Sequence, residues 1–171
     1  MLALAKVEQL RQQGDAPVVD AEPVLRAVAL DLAPLIAERQ LEFDIATVPA
    51  AVRVHEWALR ELTRNLLHNA VKHSPPGARL SLSLQSEAGE AWLTVEDEGP
   101  GIADDLRQRL FQPFSTAAAP GAASGSGLGL AICREIVASL GGSIAMDNRR
   151  PAGLRAGVRL PLARPAAANP A

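Results

Sequence analysis

Residues 56–77 limit what this chain can fold into more than any other stretch. Trp57, Leu59, Leu62, Leu66, Leu67 and Ala70 recur at short helical intervals from Glu56 to His73, so the segment predicts an amphipathic helix with one face to bury. It stops hard at Ser74-Pro75-Pro76-Gly77, because two prolines can neither donate the next helical hydrogen bonds nor fit beside the preceding turn. Its polar side is unusual. Glu61, Asn65, Asn69 and Lys72 follow at steps of four, four and three, which at about 100° per residue gathers them into an arc of roughly 80°. A solvated face is normally built from Glu, Lys and Arg, since Asn is a middling helix former. Two Asn one turn apart suggest ligands instead: an amide oxygen is a hard neutral donor suited to Mg²⁺ beside phosphate oxygens, and Lys72 adds a positive charge. A pair of asparagines hydrogen-bonded to a neighbouring loop satisfies the same pattern.

Around this helix the apolar periodicity changes repeatedly. Val24, Leu25, Val28, Leu32, Leu35 and Ile36 predict a helix between Asp20 and Arg39, with Pro34 placed to kink or interrupt it. Leu41, Phe43 and Ile45 alternate with polar neighbours, as do Leu80, Leu82 and Leu84, while Ala91–Asp97 reads as a more buried strand, making three strands before Gly99. A short helical pattern through Leu106, Leu110 and Phe111 gives way to an Ala/Gly/Ser-rich stretch, Gln112 to Ser126, that predicts a mobile loop. A further helix runs from Gly129 through Leu140 to the Gly141-Gly142 stop, and Ser143–Asp147 and Gly157–Leu162 read as closing strands. This order implies an α/β (α+β) two-layer sandwich, with helices on one face of a mixed or antiparallel sheet.

Two glycine-rich segments adjoin these elements. Asp97-Glu98-Gly99-Pro100-Gly101 directly follows an apolar strand, where glycines permit close approach of backbone to a ligand and the carboxylate can accept a hydrogen bond from an amino group such as adenine offers. An ordinary turn opened by Asp reads the same way. Gly125-Ser126-Gly127-Leu128-Gly129 leads into a helix, so its N–H groups and the helix dipole form a site for phosphate oxygens; a flexible linker is the alternative. It follows no strand and lacks a Gly-Lys-Ser/Thr ending, which argues against a dinucleotide fingerprint or a P-loop.

At 171 residues and 48% hydrophobic, the chain suits one domain with a real core. A net charge of −2 with interspersed signs disfavours a nucleic-acid partner. One cysteine, Cys133, excludes an internal disulfide and fits a reducing, cytoplasmic setting. No run approaches the roughly 18 apolar residues that cross a bilayer. Residues 1–14, with Leu2, Leu4, Val7 and Leu10, predict the end of an upstream helix or linker; residues 15–162 form the domain, and 163–171 predict a disordered tail.

In combination and in order, NLLHNAVKHSPP, DEGPG, RLFQPF and GSGLGL resemble the N box, first glycine box, F box and second glycine box of sensor histidine kinases. The resemblance covers about Asp20 to Leu162. It implies the Bergerat ATP-binding fold of gyrase B, MutL and Hsp90: a mixed, largely antiparallel sheet of about five strands under three helices. By the same resemblance Asn69 is the Mg²⁺ ligand, Asn65 lines the phosphate side, Lys72 meets phosphate and His73 stacks on the nucleotide. Asp97 accepts the adenine amino hydrogen bond, and Gly99 and Gly101 pass beneath the base, with Ile102 and Leu128 also in contact with nucleotide. Gly125, Gly127 and Gly129 form the hinge of the ATP lid, which Phe111 and Phe114 bound or simply anchor.

Hydrolytic members carry a water-activating Glu where this chain has Asn65, and an amide cannot act as a general base. The resemblance therefore implies transfer of the γ-phosphoryl group to a histidine on a separate dimerisation domain, which a response regulator then reads. Glu61 reads as a solvated position. Of His55, His68 and His73, only His55-Glu56 imitates the family's His-Glu dipeptide, and it lacks the acceptor's flanking residues and lies immediately before the N box. The parent protein is expected at the inner membrane, with this domain cytoplasmic. A non-catalytic nucleotide switch of the same fold and an anti-sigma-type serine kinase are the alternatives.

Overall fold

The computed structural model describes residues 16–103 and 129–163. Among these, the chain forms β1 (Val18–Asp20), α1 (Ala21–Glu38), β2 (Glu42–Thr47), β3 (Ala51–Arg53), α2 (Glu56–His73), β4 (Arg79–Glu87), β5 (Glu90–Asp97), α3 (Gly129–Ser139), β6 (Ser143–Asn148) and β7 (Leu154–Pro161). Five strands make one sheet in the order β2-β4-β5-β7-β6, with β1 and β3 pairing separately. Only β2 and β4 run parallel, as a connection through α2 demands; the other neighbours are antiparallel. The expected mixed sheet under three helices is what forms.

The sheet's inner face follows from period-two alternation. Leu80, Leu82 and Leu84 of β4, Ala91, Leu93 and Val95 of β5, and Leu154, Ala156, Val158 and Leu160 of β7 are all buried. Against them lie Leu59, Leu62, Leu66 and Leu67 of α2, Val24, Leu25, Val28 and Leu32 of α1, and Ile136 and Val137 of α3. β5 is buried on one face rather than throughout: Trp92, Thr94 and Glu96 are half-buried on the outer face, where the Arg159 guanidinium lies 3.9 Å from the Trp92 ring centroid.

Several local readings shift. Pro34 neither ends nor interrupts α1, because it sits on the exposed side of the helix near Leu30, itself 74% exposed. Leu35, expected on the buried face, is exposed. β1 and β3, each three residues long, give too little alternation to be seen in sequence. They are tied into the domain by Asp20, whose Oδ1 accepts from Glu22 N at the start of α1 and from Ala50 N. β7 begins at Leu154, earlier than expected. Ala163 donates its N–H to the Ala51 carbonyl, so the described chain continues past Leu162. Gly141, at φ +73°, ends α3 as the glycine stop predicts. The segments 1–14 and 106–126 and the remainder of the tail lie outside the described residues.

Candidate functional site

Asp97 is the next residue in the inward series Ala91, Leu93, Val95, so the β5 alternation carries a carboxylate into the buried layer at the strand's end. It is 3% exposed. Its Oδ1 accepts the Gly99 N–H at 2.8 Å and the Leu154 N–H at 3.2 Å, while Oδ2 accepts none among the described residues. Burial pushes its carboxyl above the ordinary carboxylate value; the N–H groups of Gly99 and Leu154 and the charges of His73 and Arg149 oppose that shift. A buried carboxylate with one oxygen tied to backbone and the other uncommitted is suited to accept from an amino group.

The glycines beside it are fitted by contact. A Cβ on Gly99 would stand 2.5 Å from the His73 carbonyl oxygen, so the end of α2 and the start of this loop touch through backbone. Gly101 has φ +75°, and a Cβ there would stand 2.7 Å from Asn148 Oδ1. Ile102 is half-buried against the core.

On α2, Glu61, Asn65, Asn69 and Lys72 are all half-buried, so the expected polar stripe exists and borders the core. Asn65 Nδ2 donates to Glu61 Oε2 at 3.3 Å, which makes Glu61 a partner within the stripe rather than a freely solvated group. Asn65 Oδ1 faces the first residue of α3: a Cβ on Gly129 would stand 3.3 Å from it. The helix start is thereby brought to the stripe, where the helix dipole places partial positive charge. Asn69 and Lys72 make no side-chain hydrogen bond among the described residues. His73 is held below its ordinary value by burial first, then by Lys72 and Arg39, with Asp97 pulling it up. Cys133, fully buried under α2, has its thiol pushed up by burial and by the Glu61 charge, and is chemically quiet.

Asn65, Asn69, Lys72, His73, Asp97, Gly99, Gly101, Ile102 and Gly129 are thus placed, and the close approaches join α2 both to the Asp97 loop and to α3. Phe111, Phe114, Gly125, Gly127 and Leu128 lie outside the described residues. Sequence reasoning missed Asn148, Arg149 and Gly153. Arg149 Nη1 donates to the Asp97 carbonyl at 2.7 Å and its Nε pairs with Glu96 at 2.9 Å. Gly153, at φ +115°, passes so close that a Cβ would overlap the Asp97 carbonyl oxygen. Only the asparagine, the glycine and the turn composition of DNRRPAG were visible, and nothing in one sequence ties that turn to a carboxylate some fifty residues earlier.

A mixed sheet under three helices, with a buried carboxylate at a strand end and an Asn-bearing helix meeting a second helix's N-terminus, defines a nucleotide-binding α/β sandwich. Residues 55–164 match the family described as histidine kinase-, DNA gyrase B- and HSP90-like ATPase, and the chain belongs to that family. Its histidine kinase character shows in its relatives. The chain is 37% identical over 145 residues to the signal transduction histidine-protein kinase/phosphatase MprB of Mycobacterium ulcerans, covering 82% of this chain and 28% of that protein. It thus spans under a third of that curated relative's length. It is similar to the structure of a mycobacterial sensor histidine kinase MprB, at TM-score 0.77 and 32% identity over 85% of this chain and 98% of that one. It is also similar to full-length ShkA in complex with AMPPNP, at TM-score 0.75 and 31% identity over 90% of this chain and 32% of that one. The fold is that of an ATP-binding histidine kinase catalytic domain. Among the described residues no helix is long and apolar enough to cross a membrane.

Proposed function

We propose that this domain binds Mg-ATP with adenine at Asp97 and phosphates along the stripe of α2, and presents the γ-phosphoryl group to a histidine on a separate dimerisation domain of the parent kinase. The observation that carries this reading is Asn65, whose Nδ2 donates to Glu61 Oε2: an amide, which cannot act as a general base, occupies the helix position from which a base would activate water. Asn69 suits Mg²⁺ by its donor chemistry, a neutral amide oxygen with no protein partner among the described residues, and Lys72 supplies charge to phosphate oxygens. The ion, when bound, neutralises charge on the phosphates. The protein's contribution is orientation: Asp97 fixes the base, the α3 start and Lys72 hold the phosphates, and His73 borders the base. In the transfer, a bond forms between the acceptor imidazole nitrogen and the γ-phosphorus as the bond to the β-bridging oxygen breaks, leaving ADP. A response regulator is the proposed recipient of the phosphoryl group, and use of ATP fits a cytoplasmic domain of a membrane-anchored parent.

Incubating the chain with γ-labelled ATP and the parent's dimerisation domain in trans should give an acid-labile, base-stable phosphoprotein. ATP binding without any phosphohistidine overturns the assignment.

A further inference from the structure

Asp97 is not held by its own strand alone. The end of β6 and the turn that joins it to β7 cross its exit and grip the chain on both sides. Asn148 Oδ1 accepts the Ile102 N–H at 2.8 Å, and Asn148 Nδ2 donates to the Ile102 carbonyl at 2.6 Å. One side-chain amide thus makes, with a single residue, the pair of bonds that a neighbouring strand would make. Arg149 ties the Asp97 carbonyl to the same segment, and its own N–H donates to the Gly153 carbonyl at 2.8 Å, closing the turn beneath. Between these grips lies Gly99-Pro100-Gly101, whose two glycines leave the backbone a wide choice of conformations. Freezing such a loop only when a base arrives would subtract its ordering entropy from affinity.

We propose that Asn148 is a positioning residue for base recognition, holding the Gly99–Ile102 backbone so that Asp97 Oδ2 stands where the adenine 6-amino group arrives. Gly101 is fitted to this grip, since a Cβ there would collide with Asn148 Oδ1. The inference rests on the reading that Asp97 accepts from adenine.

Calorimetric titration of the whole chain with ATP and with purine riboside triphosphate, which differs in lacking the 6-amino group, separates base recognition from phosphate binding. The native chain prefers ATP. Asn148→Ala reduces that preference about tenfold while affinity for the purine analogue moves less than about threefold. A merely structural loss weakens both nucleotides alike and leaves their ratio intact, and an unchanged ratio in folded Asn148→Ala overturns the proposal. Where the alanine variant does not fold, Asn148→Ser is read by the same ratio. Asp97→Asn distinguishes the two levels. If it abolishes the preference and the Asn148 variants do not alter it, this inference alone fails; if Asp97→Asn also keeps the preference, the adenine reading fails with it.

Discussion

At the end of β5, Asp97 is 3% exposed, with one carboxylate oxygen held by two backbone N–H groups and its carbonyl held by Arg149. On α2, Asn69 and Lys72 are half-buried and make no side-chain hydrogen bond among the described residues. Both regions serve the proposed nucleotide, yet one is finished by the protein and the other is left to the ligand. The difference follows from what each must recognise. A base is a rigid, weakly charged ring that a preformed acceptor can discriminate, because a misplaced or unpaired buried group costs about 1–3 kcal/mol. Phosphates and their cation are highly charged and hydrated, so amide and ammonium groups with freedom to adjust can exchange water for phosphate oxygens.

Gly153 should show the rigidity of the base end most strongly. With φ +115° and no space for a Cβ beside the Asp97 carbonyl, Gly153→Ala should cost about 3 kcal/mol of unfolding free energy in urea titration. A loss below about 1 kcal/mol would show that the base end is not rigidly built. Asn69→Ala should do the reverse. Its stability should change by less than about 0.5 kcal/mol while Mg-ATP affinity falls about tenfold or more by calorimetry, and comparable losses in both would erase the distinction.

The smallest expected effect is a pH dependence at the junction of the two regions. His73 is lowered from its ordinary 6.5, so the fold favours its neutral form. Its contribution to stability is full above 6.5 and is lost as pH falls through the lower folded value. Asp97, raised from 3.8, has the opposite sign: its share is full below 3.8 and is lost as pH rises through the higher folded value. Melting temperatures of the native chain and His73→Gln, compared from about pH 8 to about pH 5, should therefore converge on acidification as the native chain loses the His73 share. Parallel curves would mean that His73 is not held neutral by burial.

Much of the candidate site was legible because its chemistry is local in the chain. The Asn65, Asn69, Lys72 stripe needs only helical geometry to be read, and Asp97 followed by glycines needs only a strand that ends there. The inward direction of Asp97 was implicit in the alternation of Ala91, Leu93 and Val95. Pro34 does not interrupt α1, since a proline on the solvent side of a helix is tolerated where burial on the other face is strong enough to hold it. β1 and β3 escaped because three-residue strands carry no readable period, and their pairing depends on Asp20 meeting Ala50 across a long interval.

The elements whose patterns repeat within one or two turns, namely the three helices, the alternating strands and the polar stripe, are written in the residue order, as is the order of the motifs. It took the folded chain to set β2 beside β4 at the edge of the sheet, to bring Gly129 against Asn65, and to close Asn148, Arg149 and Gly153 on the exit of β5. Periodicity records which face of an element is buried, whereas a hydrogen bond across some fifty residues leaves no periodic trace. Asn148 contacts Ile102 because packing the sheet sets β7 beside β5, bringing the β6–β7 turn against the exit of β5, a closure that no residue types alone could have announced.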